Sequence, residues 1–75
     1  MPVAGVVVRI RDGAGSKVAS LLDELDGVEV VEQTDDGFAL VIEADTARQQ
    51  RELHERIADW SEVEQASVVL QSGEF

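Results

Sequence analysis

The spacing of apolar residues switches along this chain between the strand period of two and the helical period of about 3.6, and the order of these switches restricts the fold. Residues 5–11 (GVVVRIR) alternate, as in a strand whose successive side chains point to opposite faces. Residues 18–25 (VASLLDEL) place apolar side chains at i, i+3, i+4 and i+7, as in a helix with one apolar face. We expect Ser16 to cap this helix and Gly27 to end it.

The second half of the chain continues with a predicted β-hairpin and then a second helix. Residues 28–33 (VEVVEQ) and 38–43 (FALVIE) read as strands, and the intervening TDDG is typical of a tight hairpin turn. Asp45 or Thr46 is expected to cap the second helix, whose polar face carries Arg, Gln and Glu. A fourth strand is expected at about residues 66–71.

This β-α-β-β-α-β order is that of the α+β, ferredoxin-like fold. Right-handed crossovers predict a four-stranded antiparallel sheet in the spatial order 4-1-3-2, with both helices on one face. The length predicts a single domain over residues 1–75, with a short polar C-terminal tail at about residues 72–75. The chain contains no cysteine, which excludes disulfides and thiolate metal sites.

The chain is strongly acidic, with 16 Asp and Glu residues against 6 Lys and Arg residues and a net charge of −10. Phosphate backbones would be repelled, so a nucleic-acid partner is not expected. A basic peptide or protein would be attracted, although the same charge also serves to keep a small domain soluble. No apolar run approaches the roughly 18 residues of a membrane-spanning helix, and the start MPVAG lacks the pattern of a secretory signal. These observations predict a cytoplasmic protein that does not insert into a membrane.

The residue patterns of enzymes and metal sites are missing from the sequence. His54 is the sole histidine and is expected on the surface of the second helix. Residues 12–15 (DGAG) lack the fuller dinucleotide fingerprint and a P-loop lysine, and no G-x-S-x-G elbow occurs. The chain also lacks the aromatic residues of RNA-binding sheets and the Cys-x-x-Cys loop of heavy-metal-binding domains of this fold. We therefore expect a binding module with no catalytic residue, no metal and no cofactor.

Strand alternation divides the sheet residues into a face covered by the helices and an open face. The covered face is predicted to hold Val6, Val8, Ile10, Val28, Val30, Phe38, Leu40, Ile42, Val68 and Leu70. The open face is predicted to hold Val7, Arg9, Arg11, Glu29, Val31, Gln33, Ala39, Val41, Glu43, Ser67, Val69 and Gln71. Sheets covered on one side normally alternate apolar-in with polar-out, and four valines of the open face break this rule. They are Val7, Val31, Val41 and Val69.

These four valines are expected to form one patch on the open face. In the expected hairpin register Val31 faces Val41 and Glu29 faces Glu43, so that two carboxylates border the patch. The two arginines of the first strand lie toward the other half of the face. These exposed valines have two explanations. Either they reflect the strand propensity of valine alone, or a partner covers them, and a second copy of the chain in a weak homodimer is among the candidate partners. Burying a valine contributes roughly 1.5–3 kcal/mol, so even half-burying four of them is enough to decide an association.

The chain resembles the NapD family of small cytoplasmic chaperones for the assembly of periplasmic nitrate reductase. The similarity lies in the first strand AGVVVRI, in LLDELDGVEVVE, in the third strand GFALVIEAD and in the last strand VEQASVVLQSGE. Its most specific part is LDGVEV followed by G-x-x-x-VIEA. The last strand departs from the family's usual aromatic-and-histidine ending.

The resemblance implies that the chain binds the twin-arginine signal peptide of the nitrate reductase catalytic subunit, as a helix on the open face. Binding would restrain export until the molybdenum cofactor is inserted, and the chaperone itself would carry no cofactor. The peptide-binding residues are predicted to be Val7, Arg9, Glu29, Val31, Ala39, Val41, Glu43 and Val69. The valines would contact the apolar part of the peptide, and Glu29 and Glu43 would bind its arginines. Arg9 and Arg11 would either pair with local acids or fix the direction of the peptide by repulsion.

Two other functions fit the same pattern. A regulatory domain of this fold would bind an amino acid at a dimer interface, near the DGAG loop after the first strand. A structural homodimer would pair two open faces through the same valines. The mass in solution and the response to a signal peptide distinguish both alternatives from the chaperone.

Overall fold

The computed structural model describes residues 3–72, and the side chains of residues 3–70. The six elements are β1 (Val3–Ile10), α1 (Gly15–Asp23), β2 (Val28–Thr34), β3 (Gly37–Glu43), α2 (Ala47–Ala58) and β4 (Val63–Ser72). Their order is the one that the sequence predicts, and β1 and β4 are longer than expected. The polar tail was predicted at about residues 72–75, and apart from Ser72, the last residue of β4, it lies outside the described residues.

The four strands form one antiparallel sheet in the order β2-β3-β1-β4. This is the expected order 4-1-3-2 read from the opposite edge, so the ferredoxin-like fold is confirmed. The two central strands are β1 and β3, and both alternate between buried and more exposed residues along their length. The buried residues of these strands pack against both helices, which leaves the other face of the sheet without a covering layer.

One hydrophobic core joins the central strands to the helices. Its buried members are Ala4, Val6, Val8, Ile10, Val18, Leu22, Phe38, Leu40, Ile42, Ile57 and Val63. Val30 and Val68, both predicted on the covered face, are 41% and 45% exposed. They belong to the edge strands, where a side chain has a neighbouring strand on one side only.

The starts of the two helices differ in how the backbone is capped. The first helix begins at Gly15 with Ala14 at the N-cap and no side-chain cap, so the prediction of Ser16 as the cap is wrong. At the second helix the hydroxyl oxygen of Thr46 accepts a hydrogen bond from the backbone N–H of Gln49 at 3.1 Å. Of the two predicted caps for α2, Thr46 is therefore the one used.

Two polar contacts tie the helices to the segment around β4. Lys17 of α1 forms an ion pair with Glu62, with 2.9 Å between Nζ and Oε2. The ammonium group of Lys17 is the main reason that the pKa of Glu62 lies below the usual value for a glutamate. On α2, the Nε2 atom of His54 lies 2.9 Å from the carbonyl oxygen of Ala66, a structural contact for the sole histidine.

The predicted register of the hairpin is wrong for two reasons: Thr34 pairs with Gly37, so the turn has only two residues, and β2 contains a β-bulge. Val30 pairs with Leu40 and the next paired residue of β2 is Glu32, which lies opposite Ala39. Val31 is the extra residue of the bulge and does not face Val41. A bulge adds one residue to one strand and thereby shifts every later side chain to the other face.

The shift of register changes which residues of β2 meet β3 on each face. Glu29 lies opposite Val41, where the sequence predicted Glu43 as its partner. Gln33, predicted on the open face, lies opposite the buried Phe38 and is therefore on the covered face.

A bulge near the end of β4 places the residues after it on the face opposite to the predicted one. Val68 pairs with Val6, but the preceding residue of β1, Gly5, pairs with Leu70, which leaves Val69 as the extra residue. A Cβ atom built on Gly5 would lie 3.3 Å from the Cβ of Leu70, so the two residues share a face. Leu70 therefore lies on the open face, where it is 66% exposed, and its predicted place in the core is wrong.

Candidate functional site

The open face consists of rows of side chains that run across all four strands. In the order β2, β3, β1, β4, the rows are Glu29–Val41–Gly5–Leu70, Glu32–Ala39–Val7–Ser67 and Thr34–Gly37–Arg9–Gln65. Beyond the first row, Glu43 pairs with Val3. The side-chain hydrogen bond from Gln65 to Ser67, at 2.9 Å, agrees with their shared face.

A shallow groove runs over the first half of β3. Its floor is Gly37 and Ala39, whose small size leaves a space of about 320 Å³ between the flanking strands. Val7 and Arg9 border the groove on the β1 side, and Glu32 borders it on the β2 side. A side chain at Gly37 is excluded because its Cβ would overlap the carbonyl oxygen of Val8.

Carboxylates lie along the β2 side of this face. Glu29 and Glu43 line a common depression with Val41, although they do not face each other directly. Glu32 adds a third carboxylate, which sequence reasoning missed. Strict alternation from Val30 would place the charged side chain of Glu32 on the covered face. A charged residue at an expected core position is the sequence signal of this bulge.

The apolar part of the face is carried mainly by β1 and β4. Val7 is 47% exposed, Leu70 is 66% exposed, and Val41 on the neighbouring strand β3 is half-buried. Exposed apolar side chains that form a contiguous surface usually mark a binding site. Leu70 belongs to this surface although the sequence reasoning placed it in the core.

The structure brings six of the eight predicted site residues into the rows of the open face or directly beside them. They are Val7, Arg9, Glu29, Ala39, Val41 and Glu43. The other two, Val31 and Val69, are each the extra residue of a bulge. Both are well exposed, but they stand on the edge strands outside the regular rows.

The two arginines predicted on this face have different surroundings. Arg9 belongs to the last row, whereas Arg11 follows the end of β1. The Nε–H of Arg11 donates a hydrogen bond of 2.8 Å to the carbonyl oxygen of Ser61, so this side chain is engaged with the loop after α2. The end of the sheet near these two arginines also carries the carboxylates of Asp12, Asp36 and Glu64.

Within residues 3–70, no group of three or more histidine and acidic side chains is arranged to hold a metal ion. No helix among the described residues is both long and apolar enough to cross a membrane. The open face offers an apolar surface bordered by carboxylates, which suits a ligand with apolar and basic parts.

The family model for the NapD protein matches residues 1–74. The chain belongs to the NapD family. The resemblance seen in the strand and hairpin motifs is therefore confirmed over nearly the whole sequence.

The NapD fold is also found by comparison with solved structures. The solution structure of the E. coli Tat proofreading chaperone protein NapD matches with a TM-score of 0.84. The match has 22% sequence identity and covers 96% of this chain and 78% of that chain, so it shows a shared fold. The comparison with curated proteins gives no match.

Proposed function

We propose that this NapD-family chain is a cytoplasmic assembly chaperone that binds the twin-arginine signal peptide of the periplasmic nitrate reductase catalytic subunit. Binding on the open face restrains export of the precursor until its molybdenum cofactor is inserted. Family membership supports this role, as does the fold shared with a Tat proofreading chaperone. The observation that carries the proposal is the combination of exposed apolar side chains and carboxylates on one uncovered sheet face.

The chemistry of the open face is complementary to that of a signal peptide. Such peptides join a positively charged segment to an apolar segment of about 7–15 residues. The apolar segment would cover Val7, Val41 and Leu70, which replace the valine patch expected from strand alternation. The arginines would meet Glu29 and Glu43, with Glu32 available as a further acceptor.

Binding would use the different side chains of this face for different purposes. Burial of apolar area supplies most of the affinity, because the favourable free energy grows roughly in proportion to the apolar area removed from water. Exposed charges at the rim contribute less to affinity, but they accelerate encounter and select the partner. The net charge of −10 acts in the same sense on any cationic peptide. The proposed role is one of binding, and none of its steps requires a catalytic residue.

The proposal is tested by calorimetric titration with a synthetic twin-arginine signal peptide and a control peptide in which both arginines are glutamine. Glu29→Lys combined with Glu43→Lys is expected to weaken binding of the arginine peptide by more than about tenfold, since two attractive contacts become repulsive. The matched control is Glu24→Lys combined with Glu55→Lys. This control makes the same change of net charge at exposed positions away from the sheet.

The outcomes of the titration separate the proposal from its alternatives. The proposed function predicts binding of the arginine peptide, weaker binding of the glutamine peptide, and a loss confined to the open-face variant. Absence of binding by the wild-type chain overturns the function. An equal loss in the two lysine variants overturns the open face as the binding site. Sedimentation of the free chain as a stable dimer that ignores the peptide favours the homodimer or the regulatory domain instead.

A further inference from the structure

The two ends of the open face differ in charge. The end at the start of β2 and the end of β3 is surrounded by the carboxylates of Asp26, Glu29, Glu43, Asp45 and Glu52, with Arg56 as the one cation lining the same depressions. The opposite end carries Arg9 and Arg11 among the carboxylates of Asp12, Asp36 and Glu64. We call these the acidic end and the arginine end.

The separation of the two ends is large enough for them to act independently. Glu43 and Gly37 mark the limits of β3, which has 7 residues. At a rise of about 3.4 Å per residue, the ends are roughly 20 Å apart. This is more than twice the screening length of about 8 Å at physiological ionic strength. A charged group at one end of a bound ligand therefore interacts chiefly with the groups of that end.

The guanidinium of Arg9 carries a charge that is not taken up by an ion pair with a neighbour. The ion pairs within residues 3–70 are Lys17–Glu62 and Arg48–Glu52. Arg11 is directed to the carbonyl of Ser61, so Arg9 is the arginine that borders the groove. A second cation placed over this end of the groove would meet Arg9, the one cationic side chain of the described residues that lines it, beside the carboxylates of Glu32 and Asp36.

We propose that this difference in charge fixes the direction in which a peptide lies on the face. The basic segment of the peptide binds at the acidic end, and the apolar segment that follows runs along β3 toward Gly37. The bound peptide therefore runs parallel to β1 and antiparallel to β3. Arg9 is a specificity-determining residue that rejects a ligand with positive charge after its apolar segment. This inference rests on the proposed function, because it assigns an orientation to the peptide of that function.

Chain direction is measured by paramagnetic broadening of the protein's amide signals. A nitroxide is attached to a single cysteine at the amino or the carboxyl end of the synthetic signal peptide, and the protein itself has no cysteine to interfere. The amino-terminal label is expected to broaden the signals of Val41 and Ala44. The carboxyl-terminal label is expected to broaden those of Thr34 and Gly37.

The broadening experiment distinguishes failure of the orientation from failure of the function. The reverse pattern, or equal broadening at both ends from each label, overturns the proposed direction while binding itself stands. A peptide that does not bind at all overturns the proposed function and the inference with it.

The role of Arg9 is tested with a peptide that carries one added lysine directly after its apolar segment. The wild-type chain is expected to bind this peptide about tenfold more weakly than the unmodified one, and Arg9→Glu is expected to remove that difference. Arg51→Glu is the matched control, since it makes the same charge change at an exposed position of α2. Equal affinity of the wild-type chain for the two peptides overturns the assignment, as does equal rescue by both variants.

Discussion

Val7 and Val68 are exposed to nearly the same extent, 47% and 45%, but they lie on opposite faces of the sheet. Val68 pairs with the buried Val6 and belongs to the face of the helices, whereas Val7 belongs to the open face. Replacing either valine by serine removes a similar apolar side chain from a similar environment. The two variants therefore separate the effect on peptide binding from the effect on folding.

The size of the expected effect follows from the exposed fraction. Full burial of a valine contributes roughly 1.5–3 kcal/mol, so about half of this, about 0.7–1.4 kcal/mol, is still available at Val7 when a partner covers it. Val7→Ser is accordingly expected to weaken peptide binding by about three- to tenfold. Adding Leu70→Ser removes a more exposed side chain from the same surface, and the double variant is expected to bind about 20- to 300-fold more weakly.

Calorimetric titration gives the dissociation constants, and urea unfolding of the free variants gives their free energies of unfolding. Val7→Ser and Val68→Ser are expected to lose a similar amount of stability, about 1 kcal/mol, because each removes a half-buried side chain. Only Val7→Ser is expected to change the dissociation constant. An unchanged dissociation constant in Val7→Ser, or an equal change in Val68→Ser, would show that the peptide does not cover Val7 on the open face.

Three further predictions concern the scaffold that holds the face in place. Lys17→Met should destabilise the chain at neutral pH. The pKa of Glu62 is lowered in the folded state, so the Lys17 contact contributes above the ordinary glutamate pKa and is lost as the pH falls through the lowered value. Urea unfolding should therefore show a difference between wild type and Lys17→Met that disappears on acidification, and a pH-independent difference contradicts this. Thr46→Ala removes the cap of α2 and should cost about 1 kcal/mol of unfolding free energy, whereas Thr46→Ser should retain most of it. Gly37→Ala should destabilise strongly, as judged by thermal unfolding, because its Cβ overlaps backbone, and a melting temperature close to wild type would show that the strand relaxes.

The fold was predictable because each period of the apolar pattern has one structural interpretation. Alternation in residues 5–11 and helical spacing in residues 18–25 correspond to β1 and α1, and the hairpin turn lies where TDDG predicts it. The short range of these signals makes them robust, since each depends only on neighbouring residues. Element order then leaves few chain topologies to consider.

The candidate site was predictable only in part because its surface depends on pairing between strands. Alternation identified Val7, Val41 and Glu29 as open-face residues without any knowledge of the register. It failed for Glu32 and Leu70, which follow the bulges of β2 and β4. A bulge changes the face of every later residue in its strand, and the apolar pattern alone does not locate the extra residue.

The bulge at Val31 makes the shape of this surface adjustable independently of its chemistry. Removing Val31 would leave Glu29, Glu32 and Thr34 on the open face and Val30 on the covered face, since every other residue of β2 would keep its parity. The chain would lose one residue of length and the extra local twist that a bulge gives to an edge strand. Deletion of this single residue thus alters the twist presented to a ligand while the displayed side chains stay the same. The length of the chain at the middle of β2 therefore sets the shape of the open face, while strand parity sets which side chains it displays.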